Sequence, residues 1–451
     1  MSWIETHGLI VLLGLALAAS AVVILQQRRS PQSTLAWLMF LVLAPYLAVP
    51  VFLVMGFRKR PRPGNHADAA LPLRHDANAP QVERMLLQYG LPAATDGNYF
   101  ALLPGEVEAW EALLDVVRSA SVSLDVTLYV LGNDAVGRAF CAALAERARD
   151  GVAVRVILDS IGSLRRPRAA LRDLAAAGAE VHLYSPLLRI TTGGHPNLRN
   201  HRKMVIADGA RVWAGGRNVA EEYMGPEPQE GRWCDLSFRV DGPAAAGFAD
   251  IFASDWIAAR GKMPDPAPVR PPDTGRSIVQ LVPGGPDVAE DPLHDALVYA
   301  CHAAHARLWV VTPYFLPTTE LSHALAIAAR RGVDVRVVIP LKSNQWLADL
   351  ARGAWLRDLA AAGCHVHLHP EMMHAKAVLA DDLGFAGSAN FDARSLLLNF
   401  EVMALLSCPH DIAPLRRWMS DLCAAAPEGL PDASFARRLI EGLFRLTSPI
   451  L

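Results

Sequence analysis

Two copies of one polar triplet carry the chemistry of this chain: His201, Lys203 and Asp208 in the first half, His374, Lys376 and Asp381 in the second. Both read H-x-K-x-x-x-x-D. A pattern this short also arises by chance, but lysine occurs at only five positions (59, 203, 262, 342 and 376), and two of the five fall in these motifs. Side chains alternate along an extended chain, so the histidine and lysine of each motif share one face. Two such pairs facing each other would surround an anionic centre with two titratable rings and two fixed cations. Arginine far outnumbers lysine in this protein. Lysine at these places therefore points to compact point charges held at a phosphate, and a phosphodiester fits.

Each motif is followed by a small-residue turn ending in asparagine, GGRN at 215–218 and GSAN at 387–390. Small residues such as Gly216 and Ser388 let the backbone approach an anion, and the Asn218 and Asn390 amides can donate to phosphoryl oxygens. Either tetrapeptide alone would read as an ordinary turn. Their recurrence after the motif in both halves makes them part of the site.

The elements that must position these residues also come twice. Residues 172–184 read RDLAAAGAEVHLY and residues 357–369 read RDLAAAGCHVHLH. Upstream of each, a helix-like segment closes on glycine and gives way to a buried-strand run, RARDGVAVRVIL at 147–158 and AARRGVDVRVVI at 328–339. Glycine at a helix end followed by a β-branched apolar run is helix-to-strand punctuation. With earlier strands expected at 122–130 and 307–312, each half reads strand, helix, strand, helix, strand, then a motif strand. An α/β fold duplicated within one chain follows.

Composition narrows the function further. A net charge of -2 on 451 residues supplies no global basic field for gathering a polyanion, so a nucleic acid partner is not expected. The six cysteines are widely spaced, without a C-x-x-C pair, and read as buried thiols in a reducing compartment. His365, His367 and His369 alternate as a metal strip might, but the first repeat has Glu180, His182 and Tyr184 there, so they read as variable strand positions. His195, His302 and His305 have no partner pattern.

Duplicated H-x-K-x-x-x-x-D followed by G-[GS]-x-N resembles the phospholipase D superfamily. The stretches GGRNVAEEY, GSANFDARSLLLNFEV and TLAWLMFLVLAPYL are similar to bacterial cardiolipin synthases, and the likeness covers nearly the whole chain, least at 61–98. One departure is in the second motif: six residues separate Asp208 from Gly215, five separate Asp381 from Gly387. The resemblance implies two tandem phospholipase D-like α/β sandwich domains related by a pseudo-twofold axis. It implies an enzyme needing no metal or other cofactor, in which one histidine attacks phosphorus to form a phosphohistidine and the other protonates the leaving alcohol and deprotonates the incoming one. On this pattern His201 is the nucleophile and His374 the general acid and base, an order less secure than the pair. Lys203, Lys376, Asn218 and Asn390 hold phosphoryl oxygens, with Gly216 and Ser388 beside them. Asp235 and Glu401 are the carboxylates that orient the imidazoles, and Asp208 and Asp381 complete the motifs as structural partners. The implied reaction moves the phosphatidyl group of one phosphatidylglycerol onto a second, making cardiolipin and glycerol. A hydrolase or another headgroup transferase shares the same motifs, because pocket shape and water exclusion choose the acceptor. A non-catalytic scaffold would have no need of both intact motifs.

Membrane lipids as substrates agree with the N-terminus. Apolar runs at 8–25 and 35–55 are each near the ~20 residues of a bilayer-spanning helix. Glu5 replaces the basic start of a signal peptide and a second run follows at once, so a two-helix transmembrane hairpin is expected over 1–58. Pro45 and Pro50 are tolerable in such spans. Arg58, Lys59, Arg60 and Arg62 follow the second run and only Arg28 and Arg29 lie between the two, which favours a cytoplasmic body at a bacterial inner membrane. The remaining boundaries are a linker over 59–98, a first domain over 99–261, a proline-dense linker over 262–275 and a second domain over 276–451.

Overall fold

The computed structural model describes residues 3–27, 31–56, 58–59, 79–185, 197–260 and 271–447. Arg28, Arg29, Arg60, Arg62, His195, the 60–78 part of the first linker and the 261–270 part of the second lie outside them.

The N-terminal runs form α1 (Trp3–Gln26), α2 (Pro31–Leu43) and α3 (Pro45–Met55), and α4 (Gln81–Gln88) precedes the first domain. The first half then runs β1 (Thr95–Leu103), α5 (Glu106–Ser119), β2 (Ser123–Leu128), α6 (Ala135–Arg149), β3 (Ala153–Asp159), α7 (Arg168–Ala176), β4 (Glu180–Tyr184), β5 (Met204–Ala207), β6 (Arg211–Gly215), β7 (Ser237–Asp241) and α8 (Ala244–Arg260). The second runs β8 (Ser277–Gly284), α9 (Pro292–Ala303), β9 (Arg307–Val311), β10 (Phe315–Leu316), α10 (Thr319–Arg330), β11 (Asp334–Pro340), α11 (Trp346–Ala361) and β12 (His365–His369). It continues through β13 (Ala377–Ala380), β14 (Leu383–Gly387), β15 (Phe391–Asp392), α12 (Ala393–Leu397), β16 (Glu401–Leu406), α13 (Pro409–Ala425) and α14 (Phe435–Thr447).

The duplication is visible in the sheet. Its fourteen strands run β4-β3-β2-β5-β6-β7-β1-β8-β16-β14-β13-β9-β11-β12, so equivalent strands stand at mirrored places and the halves join at the antiparallel β1–β8 pair. Within each half three strands are parallel and joined through helices, and their apolar runs are buried as such strands require. The punctuating glycines close the helices in the left-handed conformation: Gly151 has φ 89° and Gly332 φ 86°, and the next residues donate back to Arg147 and Ala328.

Each half has its own core, and a third core is shared. In the shared core Ile157, Phe248, Phe252 and Trp256 of the first half meet Val338, Ile412, Leu415 and Met419 of the second. Separating the halves would expose these side chains at about 2 kcal/mol each, which holds the cleft between the two motifs at fixed width. The linker expected over 59–98 is partly folded. Val82 and Leu86 of α4 enter the second half's core, Ser407 Oγ donates to Glu83 at 2.9 Å, and β1 already begins at Thr95.

Helices α1–α3 have a small core of their own around Ile24, Ala48 and Phe52. Its second run is split at Ala44, because Pro45 has no N–H to continue the helix and starts a new one. Among the described residues no helix is long and apolar enough to cross a membrane. What α1–α3 do show is an outer surface of exposed aliphatic side chains, including Leu12, Leu15, Val22, Val42 and Leu47. The chain just after α3 is clasped to the second half: Lys59 Nζ donates to Asp291 Oδ1 at 2.8 Å and to the Glu290 and Gly285 carbonyls.

Candidate active site

His201 and Lys203 sit on the extended segment that leads into β5, and His374 and Lys376 on the equivalent approach to β13, rather than within the strands themselves. Each approach is hydrogen-bonded to the opposite half. His201 N donates to Phe400 O and Phe400 N to Arg199 O, both at 2.9 Å; His374 N donates to Cys234 O at 2.6 Å and Cys234 N to Met372 O at 3.0 Å. The residue after Phe400 is Glu401 and the residue after Cys234 is Asp235. These backbone pairs therefore deliver each carboxylate to the other half's imidazole.

The result is a crossed arrangement. His201 Nδ1 lies 2.8 Å from Glu401 Oε1, and His374 Nδ1 lies 2.7 Å from Asp235 Oδ2. Both carboxylates are fully buried. A carboxylate accepts only, so each Nδ1 carries the proton and each Nε2 keeps the lone pair. The Lys376 ammonium lies against the His374 ring, 2.7 Å from Nδ1 and 3.2 Å from Nε2, and since Nδ1–H is committed to Asp235 it can donate to Nε2 as well as to the His374 carbonyl. Lys203 likewise donates to the His201 carbonyl at 2.6 Å.

Burial tunes all four groups. Desolvation pushes His201 down to about 4 and His374 to about 3, with the neighbouring lysines adding to the effect and Glu401 or Asp235 opposing it. Both rings are thus neutral near pH 7. Desolvation also pulls Lys203 down to about 7 and Lys376 to about 8, against the upward pull of the carboxylates. For Asp235 burial works upward, and Lys376 and His374 outweigh it, keeping the acid below its ordinary range. Lys203 and Lys376 are thus the groups whose charge an anionic phosphodiester would stabilise.

The two half-sites differ in how their carboxylate is held. Ser388 Oγ donates to Glu401 Oε2 at 2.5 Å. The equivalent Gly216 has no side chain, and a Cβ there would stand 2.3 Å from Asp235 Oδ1 and 3.3 Å from Lys376 Cδ. The longer acid is steadied by serine, and the shorter one occupies the space that glycine leaves. Asn218 Oδ1 accepts from Val130 N at 3.1 Å, which turns its NH₂ away from that bond. Asn390 is buried, and among the described residues its Oδ1 has no hydrogen-bond partner.

Asp208 and Asp381 are not brought to the cleft. Asp208, at φ 52°, accepts from the backbone of Ser121, Val122 and Ser123, and Asp381, at φ 48°, from that of His305, Ala306 and Arg307. They fasten the hairpin turn to the start of the neighbouring strand. The one-residue difference between the motifs lies in that same turn, three residues between β5 and β6 against two between β13 and β14. It leaves Gly215 and Gly387 at equivalent places beside the lysines. Of the alternating histidines, His365 pairs with Glu428, and His367 and His369 face backbone carbonyls.

The family description "Cardiolipin synthase, PLD-like domain" matches residues 113–256 and 297–423, one match for each half of the site. The chain belongs to this family. Membership makes it a phosphatidyltransferase of the phospholipase D superfamily. It is similar to cardiolipin synthase A of Pseudomonas syringae pv. syringae, 32% identical over 98% of this chain and 97% of the relative. It is also similar to cardiolipin synthase 1 of Bacillus anthracis, 29% identical over 98% of this chain and 93% of the relative. Among solved structures the fold matches phosphatidylserine synthase of Haemophilus influenzae Rd KW20 with a TM-score of 0.58, at 15% identity, over 82% of this chain and 98% of that one.

Aromatic rings around the imidazoles were not singled out from the motifs. Tyr129 meets the His201 ring edge-on at 4.7 Å between centroids, while Tyr223, Trp233 and Tyr314 surround His374 at 5.1, 5.6 and 6.4 Å. Tyr223 ends the GGRNVAEEY stretch and Trp233 stands two residues before Asp235, so proximity in sequence to motif residues was the available signal. Tyr129 and Tyr314 follow β2 and β9, away from the motifs in sequence. Together the rings shield the imidazoles from water and offer apolar walls to a lipid phosphodiester.

Proposed function

We propose that this chain joins two phosphatidylglycerol molecules into cardiolipin by a two-step displacement at phosphorus. In the first step His201 Nε2 attacks phosphorus, the P–O bond to glycerol breaks, and His374 gives the leaving oxygen a proton from Nε2. In the second the glycerol hydroxyl of another phosphatidylglycerol loses its proton to His374 Nε2 and attacks phosphorus, and the P–N bond breaks to free His201. His374 can carry the working proton because a bound phosphodiester anion raises an imidazole's affinity for it, in a site where burial alone lowers it. Lys203 and Lys376 meet the charge that develops on the equatorial oxygens, with the Asn218 and Asn390 amides beside them. Aspartates 208 and 381 act through the scaffold only.

The observation that carries this reading is the crossed pairing of two imidazoles with two carboxylates. Each Nδ1–H is held by a carboxylate of the other half, which leaves each Nε2 as the nitrogen able to attack phosphorus or carry the proton. The choice of a second phosphatidylglycerol as acceptor draws on the family membership.

The same reading places α1–α3 in a bacterial inner membrane as a hairpin anchor, with the body on the cytoplasmic side. Its support is the exposed aliphatic surface of these helices and the basic cluster that follows them. The Lys59–Asp291 clasp ties that anchor to the loop after β8, whose last residue, Gly284, pairs with Glu401.

Purified protein in phosphatidylglycerol vesicles, followed by lipid mass spectrometry, tests the reaction against His201→Ala and His374→Ala. Cardiolipin and free glycerol from the unmodified chain alone are expected. Phosphatidic acid in their place would mean that water is the acceptor and would overturn the transferase reading.

A further inference from the structure

The C-terminal helix α14 is turned inside out for a water-soluble surface. Phe435, Leu439 and Leu443 recur every fourth residue and so share one side of the helix. They are 84, 65 and 62% exposed. The side that faces the protein carries Phe444, packed against the second half's core, and is otherwise charged. Glu441, 1% exposed, is held by the Arg357 guanidinium through two contacts of 3.0 Å and by Arg437 at 2.9 Å. Gly353 makes room for it, since a Cβ there would stand 2.3 Å from the Glu441 carboxyl carbon. Arg445 adds a 2.6 Å contact to Asp358 and stacks over Trp355. Rolling the helix to hide its apolar side would strip a buried carboxylate of its three guanidinium contacts and leave its charge uncompensated. The ion pairs therefore fix the apolar stripe outward.

We infer that this stripe seats on the surface of an anionic bilayer, as a contact separate from the N-terminal hairpin. Charge favours that occupant: the one carboxylate of α14 is turned inward and neutralised, and its exposed residues include Arg437 and Arg438 and no acid. An apolar stripe flanked by cations is what an interfacial helix presents to anionic phospholipid. Helix α14 packs on the second half of α11, Glu441 at Gly353 and Arg357 and Arg445 at Trp355 and Asp358, with Pro431 just before it accepting from Arg357 at 3.1 Å, and the stripe lies on the side away from these contacts.

The test uses the full chain in vesicles of phosphatidylglycerol and phosphatidylcholine, with p-benzoylphenylalanine placed at one position at a time and its photoproducts identified by mass spectrometry. Leu443→p-benzoylphenylalanine is the probe, Val22 in α1 the anchor control and the exposed Asp421 in α13 the aqueous control. An unchanged thermal unfolding midpoint shows that each variant folds. Lipid adducts at 443 and 22, at least about tenfold above those at 421, are expected. Lipid adducts at 22 with none at 443 would overturn the α14 contact alone, and chain-to-chain products at 443 would replace the bilayer by a second copy. Adducts at 443 with none at 22 would support α14 while removing the hairpin anchor.

Discussion

Replacing Glu401 by glutamine removes a charge and leaves the shape of the site almost intact. The amide oxygen can still accept from His201 Nδ1, 2.8 Å away in the native site, and the NH₂ can donate to Ser388 Oγ. What is lost is the attraction between the carboxylate and the positive charge that His201 acquires on attacking phosphorus. With charge centres ~4 Å apart and an effective dielectric of ~20, that attraction is about 4 kcal/mol. A loss of this size in the transition state corresponds to about a thousandfold in kcat. The assay is cardiolipin formation from phosphatidylglycerol, measured as initial rates with saturating lipid. The crossed geometry adds a second criterion: Glu401→Gln should add nothing to His201→Ala, because the carboxylate acts through that ring. Its effect on the pH profile also has a definite sign. Glu401 raises the affinity of His201 for protons against burial, so the glutamine variant shifts that ring below its present value of about 4. A Glu401→Gln enzyme within about tenfold of the unmodified rate would refute the assignment. So would a variant whose loss tracks His374 instead, since that would uncross the pairs.

Other consequences are direct. Gly216→Ala forces a methyl group to 2.3 Å from Asp235 Oδ1, displacing the carboxylate from His374; at least about a hundredfold loss of kcat is expected with the unfolding midpoint little changed. Asp208→Ala does the opposite, because the carboxylate ties backbone N–H groups of residues 121–123 and touches neither ring. It should cost about 2 kcal/mol of stability, read as a midpoint lowered by a few degrees, with kcat within about threefold of normal. The lysines bind phosphate only when protonated, and burial lowers Lys203 to about 7 and Lys376 to about 8. Hence kcat/KM should fall as pH rises through about 7 to 8, steadily lost rather than gained, and a profile flat to about pH 9.5 would count against their role.

Much of the site was legible before any coordinates, because its chemistry is carried by residue types at fixed spacing. The doubled H-x-K-x-x-x-x-D, the G-[GS]-x-N turns and the repeated helix-to-strand phrases point to a duplicated α/β chain gathered around a phosphodiester. Local rules suffice for that: alternation along an extended segment, glycine closing a helix, proline starting one. The tertiary structure alone decided which carboxylate serves which histidine. Asp235 is nearer His201 in sequence, yet backbone pairing across the halves gives it to His374, and no local pattern encodes a bond between residues 139 positions apart. The same holds for the difference between Gly216 and Ser388, for the aromatic walls, and for the folded part of the linker, where α4 has too few residues to show which half would bury it. The outward stripe of α14 is the clearest case. Its amphipathic spacing is plain in the sequence, but only the buried ion pairs of Glu441 determine that the apolar side, rather than the charged one, is left facing out.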